Sequence, residues 1–308
     1  MLAFSHLSNV YLSSSVDYAA GEGLTYIPGQ VRAGRPCGES GCLLSNYHEA
    51  EITDFITNVS RRGTHMRVFG SGLSPSDIAM SNEELVLLTN LNRVLDIDTN
   101  ASNASTVVIQ SGVTLEKLSH ELATHGLALP VLGSVAEQTI SGATGTATHG
   151  TGVKFGTLSS QVQAIRMVTP NGDVLNISTK ENSELLNAVR CYLGSLGIIT
   201  EMTLQVCEAF DLAVTEQPNT LDAVLESLSE QLCKDHYRFW YIPHTDRVWE
   251  WIATRIPPEQ SLRSPDLRQK LSVWFNGKVI DHHVYESLLH LATYRPSLIP
   301  VIKSTTMD

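Results

Sequence analysis

Ser141-Gly142-Ala143-Thr144-Gly145-Thr146-Ala147-Thr148-His149-Gly150-Thr151-Gly152 is a run in which His149 is the only side chain larger than threonine. Small residues remove the Cβ bulk that keeps a ligand away from the backbone, glycine permits φ > 0, and each peptide N–H becomes a donor available to an anion. An ordered stretch of this kind wastes chain entropy unless a ligand or close packing compensates, and we read it as ligand-binding. A second loop of the same character comes earlier, Gly70-Ser71-Gly72-Leu73-Ser74-Pro75-Ser76-Asp77, directly after the strand pattern Met66 to Phe69. Two such loops point to a large phosphorylated cofactor rather than to a simple phosphate. A Rossmann NAD site is disfavoured, because Pro75 stands where the third glycine of that fingerprint should open a helix.

Composition narrows the partners. At 308 residues, 42% hydrophobic and 17% charged, the chain is long enough for one large or two modest globular domains. Its formal charge of −11 and the lack of a basic cluster beyond Arg61-Arg62 argue against a nucleic-acid footprint. The five cysteines, Cys37, Cys42, Cys191, Cys207 and Cys233, show neither a Cys-x-x-Cys nor ligand-spaced histidines, so we expect reduced thiols and no metal site. Asn58, Asn100, Asn103 and Asn176 begin Asn-x-Ser sequons that matter only in a secreted chain.

Asp17 and Glu22 precede the first basic residue, Arg32, the reverse of a mitochondrial presequence, and His6, Ser8 and Asn9 interrupt any signal-peptide core. No apolar run is long enough to span a membrane. Leu288 to Ile302, broken by Arg295, Pro296 and Pro300, offers at most a membrane-touching surface.

Periodicity divides the chain into three parts. Residues 1–45 read as an irregular leader with a Gly/Pro/Cys-rich segment at Pro36 to Gly41. Residues 46–208 read as an α+β domain. In it, Ile52, Phe55, Ile56 and Val59 form one face of a helix closed by Gly63. Leu85 to Leu88, Val94 to Ile97 and Thr106 to Ile109 suggest a small meandering sheet. Thr114 is placed to cap a helix through Leu115, Leu118 and Leu122 that ends near Gly126, with His125 at its C-terminal cap. Val162 to Val168 and Val174 to Ile177 flank the turn Pro170-Asn171-Gly172-Asp173. Ser183 is expected to cap another helix, and Gly194 to Val206 to form a turn and strand. A boundary near 209 opens the third part, 209–308, with the helical stripe Leu221, Val224, Leu225, Leu228 and Leu232 and all four tryptophans.

Two groups stay open on these grounds. His149 reads as a base, a cofactor neighbour or an ordinary satisfied loop histidine. The segment around Trp240, Trp249 and Trp251 reads as strand packing rather than a base-stacking platform, because no basic groove accompanies it.

Six motifs then fall in order: Arg67 to Asp77, Leu91-Asn92-Arg93-Val94-Leu95, His125-Gly126-Leu127-Ala128-Leu129, Leu132-Gly133-Ser134-Val135, Thr148-His149-Gly150-Thr151-Gly152 and Leu193-Gly194-Ser195-Leu196-Gly197-Ile198-Ile199-Thr200. Together, over about residues 48–255, they resemble the sugar-1,4-lactone oxidoreductases, the gulonolactone and arabinonolactone oxidases and galactonolactone dehydrogenases of the vanillyl-alcohol-oxidase superfamily. The resemblance implies a PCMH-type FAD-binding domain of two α+β subdomains, followed by an incomplete α+β substrate cap. It implies that Gly70, Ser71, Gly72, Leu73, Ser74 and Pro75 grip FAD, with Ser134, Ser141, Gly142, Thr146, Thr148, His149, Gly150 and Thr151 along the pyrophosphate and ring, and Gly197 and Ile199 toward the adenine. The implied reaction moves a hydride from an aldono-1,4-lactone to the flavin, with oxygen or cytochrome c as electron acceptor.

Two departures carry weight. Leu73 stands where the oxidases carry the histidine that tethers FAD, so the resemblance implies non-covalent FAD. The family's paired Glu and Arg for substrate and its His-Trp-Ala-Lys motif are not found, so the sequence reads as C-terminally truncated at Asp308, and no catalytic residue is assigned. A catalytically inactive FAD-binding fragment is the alternative. Relatives are mitochondrial or membrane-associated, but no targeting signal accompanies the resemblance here.

Overall fold

The computed structural model describes residues 49–258 apart from 82, 89, 100–103 and 242–244, with residues 294–295 and the backbone of three short N-terminal strands. Those strands are β1 (Leu24–Ile27), β2 (Gln30–Ala33), which pairs with β1 antiparallel, and β3 (Leu43–Leu44), so the leader is not wholly irregular. The helical stretches expected after 257, Trp274, Cys37, Cys42 and all of the Leu288 to Ile302 stretch but 294–295 lie outside the described residues. Cys191, Cys207 and Cys233 are free thiols. Among the described residues no helix is long and apolar enough to cross a membrane.

Two compact units emerge. One takes in Ser14–Gly150 with Gly156–Glu208, the other Ala209–Asp308 with the short segment Thr151–Phe155.

The two largest sheets of the first unit enclose a helix. Helix α1 (Glu49–Arg62) forms where Ile52, Ile56 and Val59 fall on one buried face. Glutamates in its first turn and arginines in its last suit the helix dipole, and Gly63 at φ +65° ends it. Next come β4 (Met66–Phe69) and β5 (Glu84–Leu87), which run parallel in the order β3-β5-β4. The meander expected from Leu85 onward therefore holds only for its last two runs, since Val94–Asp98 and Thr106–Gln110 pair antiparallel while Glu84–Leu87 joins the parallel sheet. All four residues of β5 are buried, the pattern of a strand covered on both faces in a parallel sheet, whereas a meander strand alternates.

The other of these two sheets is antiparallel, built from β6 (Val94–Asp98) and β7 (Thr106–Gln110), followed after α2 (Leu115–Thr124), the two-residue β8 (Leu127–Ala128) and α3 (Ile140–Gly145) by β9 (Val162–Val168), β10 (Val174–Ser178), α4 (Ser183–Arg190) and β11 (Ile198–Gln205). Its order is β10-β9-β11-β7-β6, and β12 (Cys207–Glu208) returns to pair with β8. Thr114 caps α2 as expected, accepting from the Lys117 N–H at 3.2 Å. Ser183 does not cap α4. Asn182 takes that place at φ +51°, its amide drawn to the Asn176 carbonyl at 2.8 Å.

Helix α1 joins the two sheets: Ile52 and Ile56 pack with Val86, Leu88 and Leu91 on one side and with Val168 and Ile198 of the antiparallel sheet on the other. At its first turn the Arg166 guanidinium donates twice to Glu49, Nε to Oε2 at 2.7 Å and Nη2 to Oε1 at 2.8 Å, and the Thr200 hydroxyl adds a third bond at 2.7 Å. Deleting a buried isoleucine costs roughly 2–5 kcal/mol, whereas a part-exposed ion pair contributes about 1 kcal/mol or less. Apolar packing therefore supplies the stability of this joint, and the bidentate pair fixes its orientation.

The second unit is a three-stranded antiparallel sheet, order β13-β15-β14, built from β13 (Asp211–Thr220), β14 (His236–Tyr241) and β15 (Arg247–Ile256), with α5 (Leu221–Gln231) on one face. Leu221, Val224 and Leu228 of α5 pack on Tyr237, Phe239, Val248 and Ile252. Strand β13 escaped the sequence reading because it is a largely exposed edge strand of polar residues with Pro218 inside it, a position an edge tolerates. It is held by Glu250, fully buried, whose carboxylate accepts from Gln217 at 2.9 Å, Asn219 at 2.8 Å and Tyr237 at 2.7 Å. Burial pushes that carboxyl up, but the three donors together hold it below the usual range, while burial pushes the Tyr237 hydroxyl up.

The Arg166 hydrogen bonds hold the Glu49 carboxyl below the usual carboxylate range against a smaller desolvation effect. A depressed folded pKa stabilises above the unfolded value and ceases to do so as pH falls through the folded one. Glu49→Gln should lower the unfolding free energy by about 1 kcal/mol at neutral pH, and the gap from wild type should close below about pH 4. Urea denaturation at both pH values measures this; a gap that persists in acid would remove the ion pair as its source.

Candidate functional site

A groove of about 740 Å³ opens in the first unit where β4 ends. Phe69 is buried, Gly70 turns outward, and the Gly70 to Pro75 loop lies against Thr139, the residue that begins α3. A Cβ on Gly70 would sit 2.3 Å from the Thr139 hydroxyl, so only glycine lets the loop close on that helix. The Ser71 hydroxyl donates to the Glu137 carbonyl and Gly72 takes φ +65°, which fixes the loop's course. The opposite wall is α3. Its Ile140, Ala143 and Thr144 are buried, while Ser141, Gly142 and Thr146 line the groove. Gly145 backs onto the Tyr192 ring, where an added Cβ would be 3.4 Å away.

Arg67 and Lys117 also line this groove, and among the described residues no carboxylate does, although the chain carries 32 acidic residues against 21 basic ones. Peptide N–H groups from Gly70 to Ser74, two cations, and apolar surface from Ile78, Ala79 and Leu88 make a surface for a long ligand with an anionic middle and flat apolar ends. Tyr192 also borders it, and burial pushes its hydroxyl, which is bonded to the Ile199 backbone, far up, so it stays neutral.

The sequence-predicted residues separate into two groups. Gly70, Ser71, Gly72, Leu73, Ser74, Pro75, Ser141, Gly142 and Thr146 meet along the groove. Ser134, Thr148, His149, Gly150, Thr151, Gly197 and Ile199 do not line it. The structure gives several of these another reason for their size. A Cβ on Gly150 would meet the Leu132 carbonyl oxygen at 2.4 Å, and one on Gly197 the Val168 carbonyl oxygen at 2.3 Å. Ile199 is 1% exposed inside β11, and Ser134 is exposed. Thr148 accepts the Leu158 N–H at 2.9 Å, and the exposed His149 turns its Nδ1 to the Gly150 carbonyl at 2.9 Å.

Thr151 belongs to the second unit, where the His236 ring takes hold of it. Arg255 Nε donates to His236 Nε2 at 3.1 Å, so Nδ1 carries the proton and donates to the Thr151 carbonyl at 3.1 Å. Burial, then the Arg255 charge, pushes the His236 pKa down and keeps that neutral tautomer. Phe155 stacks on His236 with 5.0 Å between centroids.

Sequence reasoning missed Lys117 and Tyr192 as groove residues. Lys117 is a single lysine just inside α2 with no motif around it, and Tyr192 directly precedes the Leu193-Gly194 turn without a signal of its own.

Residues 43–178 match the FAD binding domain model, and residues 202–308 match the D-arabinono-1,4-lactone oxidase model. The chain is 35% identical to L-gulonolactone oxidase of Bos taurus over 266 residues, 84% of this chain and 58% of that protein. It is 40% identical to L-gulono-1,4-lactone dehydrogenase of Mycobacterium tuberculosis over 201 residues, 65% of this chain and 46% of that protein. The chain belongs to the sugar-1,4-lactone oxidoreductase family. It spans little more than half the length of the curated relatives it matches. Among solved structures, cholesterol oxidase from B. sterolicum superposes at a TM-score of 0.69 with 16% identity, covering 84% of this chain and 52% of that one, which places the family member in the PCMH-type fold.

Groove walls from Arg67 to Thr146 lie inside the matched FAD binding domain, and Tyr192 to Gly194 lie beyond it. Because Gly150 packs against a backbone carbonyl that cannot move cheaply, Gly150→Ala should destabilise the first unit by roughly 1–3 kcal/mol even without cofactor. Thermal denaturation of the apo-protein measures this; an unchanged midpoint would show that the close approach to Leu132 is not a constraint.

Proposed function

We propose that this chain is the FAD-binding part, with a portion of the substrate cap, of an oxidoreductase that oxidises an aldono-1,4-lactone to an ascorbate-type product. The observation that carries this reading is the groove lined by two cations and, among the described residues, by no carboxylate, with walls mostly from the FAD-binding domain. Arg67, Lys117 and the peptide N–H groups of Gly70 to Ser74 would hold the pyrophosphate, since fixed donors and positive charge match a dianion without reorganising. Ser141, Gly142 and Thr146 would form the opposite wall, their small side chains leaving room for a flat ring system. Leu73, a hydrocarbon on the groove wall, has no atom that can bond to the cofactor, so FAD is held by contacts alone.

Bound FAD supplies the redox chemistry, accepting the hydride that leaves a lactone ring carbon as a hydroxyl gives up its proton. The protein's part is to orient the cofactor and to keep Tyr192 and the apolar wall against it. Oxygen or cytochrome c takes the electrons onward, and Leu288 to Ile302 is the segment of the chain suited to touch a membrane surface.

Purified protein should be yellow and should release all of its flavin on acid precipitation. Lys117→Glu and Arg67→Glu should each weaken FAD binding tenfold or more in low salt, measured by titrating apo-protein with FAD, because a like charge then faces the pyrophosphate. A protein that takes up no FAD, or flavin that stays in the washed pellet, would overturn the assignment.

A further inference from the structure

In the second unit, Arg238 of β14 stands opposite Trp251 of β15, with Trp240 two residues along on the same face, the face away from α5. Its guanidinium carbon lies 4.3 Å from the centre of the Trp240 ring and 4.6 Å from that of Trp251. The Nε is buried and has no hydrogen-bond partner. Glu216, whose charge acts on it, stands in register across Trp251 on the edge strand, yet forms no ion pair with it. Other charges of this unit are handled differently: the buried Glu250 receives three hydrogen bonds, and the half-buried Arg255 is bonded to His236.

Burying part of a guanidinium while leaving its donors unspent is costly, and stacking on two indoles recovers only part of that cost. Stacking leaves the in-plane N–H edge free, and that edge is a rigid fork matched to two oxygens held in one plane. An aldono-1,4-lactone presents such an edge in its ester group, and the hydrolysed open-chain aldonate presents it in its carboxylate. We propose that Arg238, held by Trp240 and Trp251, is a substrate-binding residue of the second unit that takes the planar O–C–O edge of the aldonolactone or aldonate. This rests on the lactone reading above.

The test is a tryptophan-fluorescence titration of the full 308-residue chain. Because two indoles touch the guanidinium, occupancy should change their emission. The probes are gulono-1,4-lactone, sodium gulonate, and sorbitol, a polyol without the edge. Wild type should give a saturable change with the lactone or with gulonate, the tighter one identifying the source, and none with sorbitol. Arg238→Lys, which keeps the charge but loses the fork, should weaken that ligand tenfold or more while FAD content stays unchanged. Trp240→Phe, which keeps an aromatic contact, should weaken it less, and it carries the test if the arginine variant fails to fold. Full FAD content with wild-type affinity in Arg238→Lys, or no saturable response to either probe in wild type, would overturn this site. A colourless wild type that still binds a probe through Arg238 would instead overturn the FAD reading and leave the site standing.

Discussion

Helix α1 of the first unit has to satisfy two sheets at once, and the groove exists because it does. Ile52 and Ile56 fill the space between the parallel strands β4 and β5 and the antiparallel strands β9 and β11, while Glu49 fastens the start of the helix to Arg166 and Thr200. With that joint made, the end of β4 is fixed relative to the start of α2 and to α3. Gly112 completes the approach: its N–H donates to the Leu91 carbonyl at 2.7 Å, and a Cβ there would meet the Leu88 carbonyl oxygen at 2.2 Å. A cofactor site between subdomains needs walls that stay at one spacing, and here close backbone packing sets that spacing.

Small residues in this chain do two different jobs that composition alone cannot separate. Gly142 and Ser141 face the groove, whereas Gly150 faces the Leu132 carbonyl and Gly197 the Val168 carbonyl. Both uses remove Cβ bulk, but the first leaves an open groove and in the second the protein's own backbone fills the space. A run of glycine and threonine therefore marks close approach, and only three-dimensional structure says to what.

The same distinction explains how far the sequence could be read. Helices with one buried apolar stripe, α1, α2 and α5, were legible from spacing, as were the β9–β10 hairpin and the Thr114 cap, because each is decided by residues close together in the chain. The parallel pairing of β5 depends on partners from β3 and β4 and was not legible. Nor was β13, whose place rests on Gln217 and Asn219 reaching the buried Glu250. At the candidate site, the Gly70 to Pro75 loop and the first half of the later run were found from their chemistry. Lys117 and Tyr192 enter it only through folding, since nothing in their immediate neighbours sets them apart.

The central claim is that FAD occupies the groove between the Gly70 to Pro75 loop and α3. Hydrogen–deuterium exchange of the apo-protein with and without saturating FAD tests it most directly, because it reads each segment without requiring turnover. The account predicts slowed exchange of the amides from Ser71 to Ser74 and from Ser141 to Thr146, with the amides of β13 and β15 unchanged. Bound FAD that leaves both groove segments exchanging as in the apo-protein would contradict it.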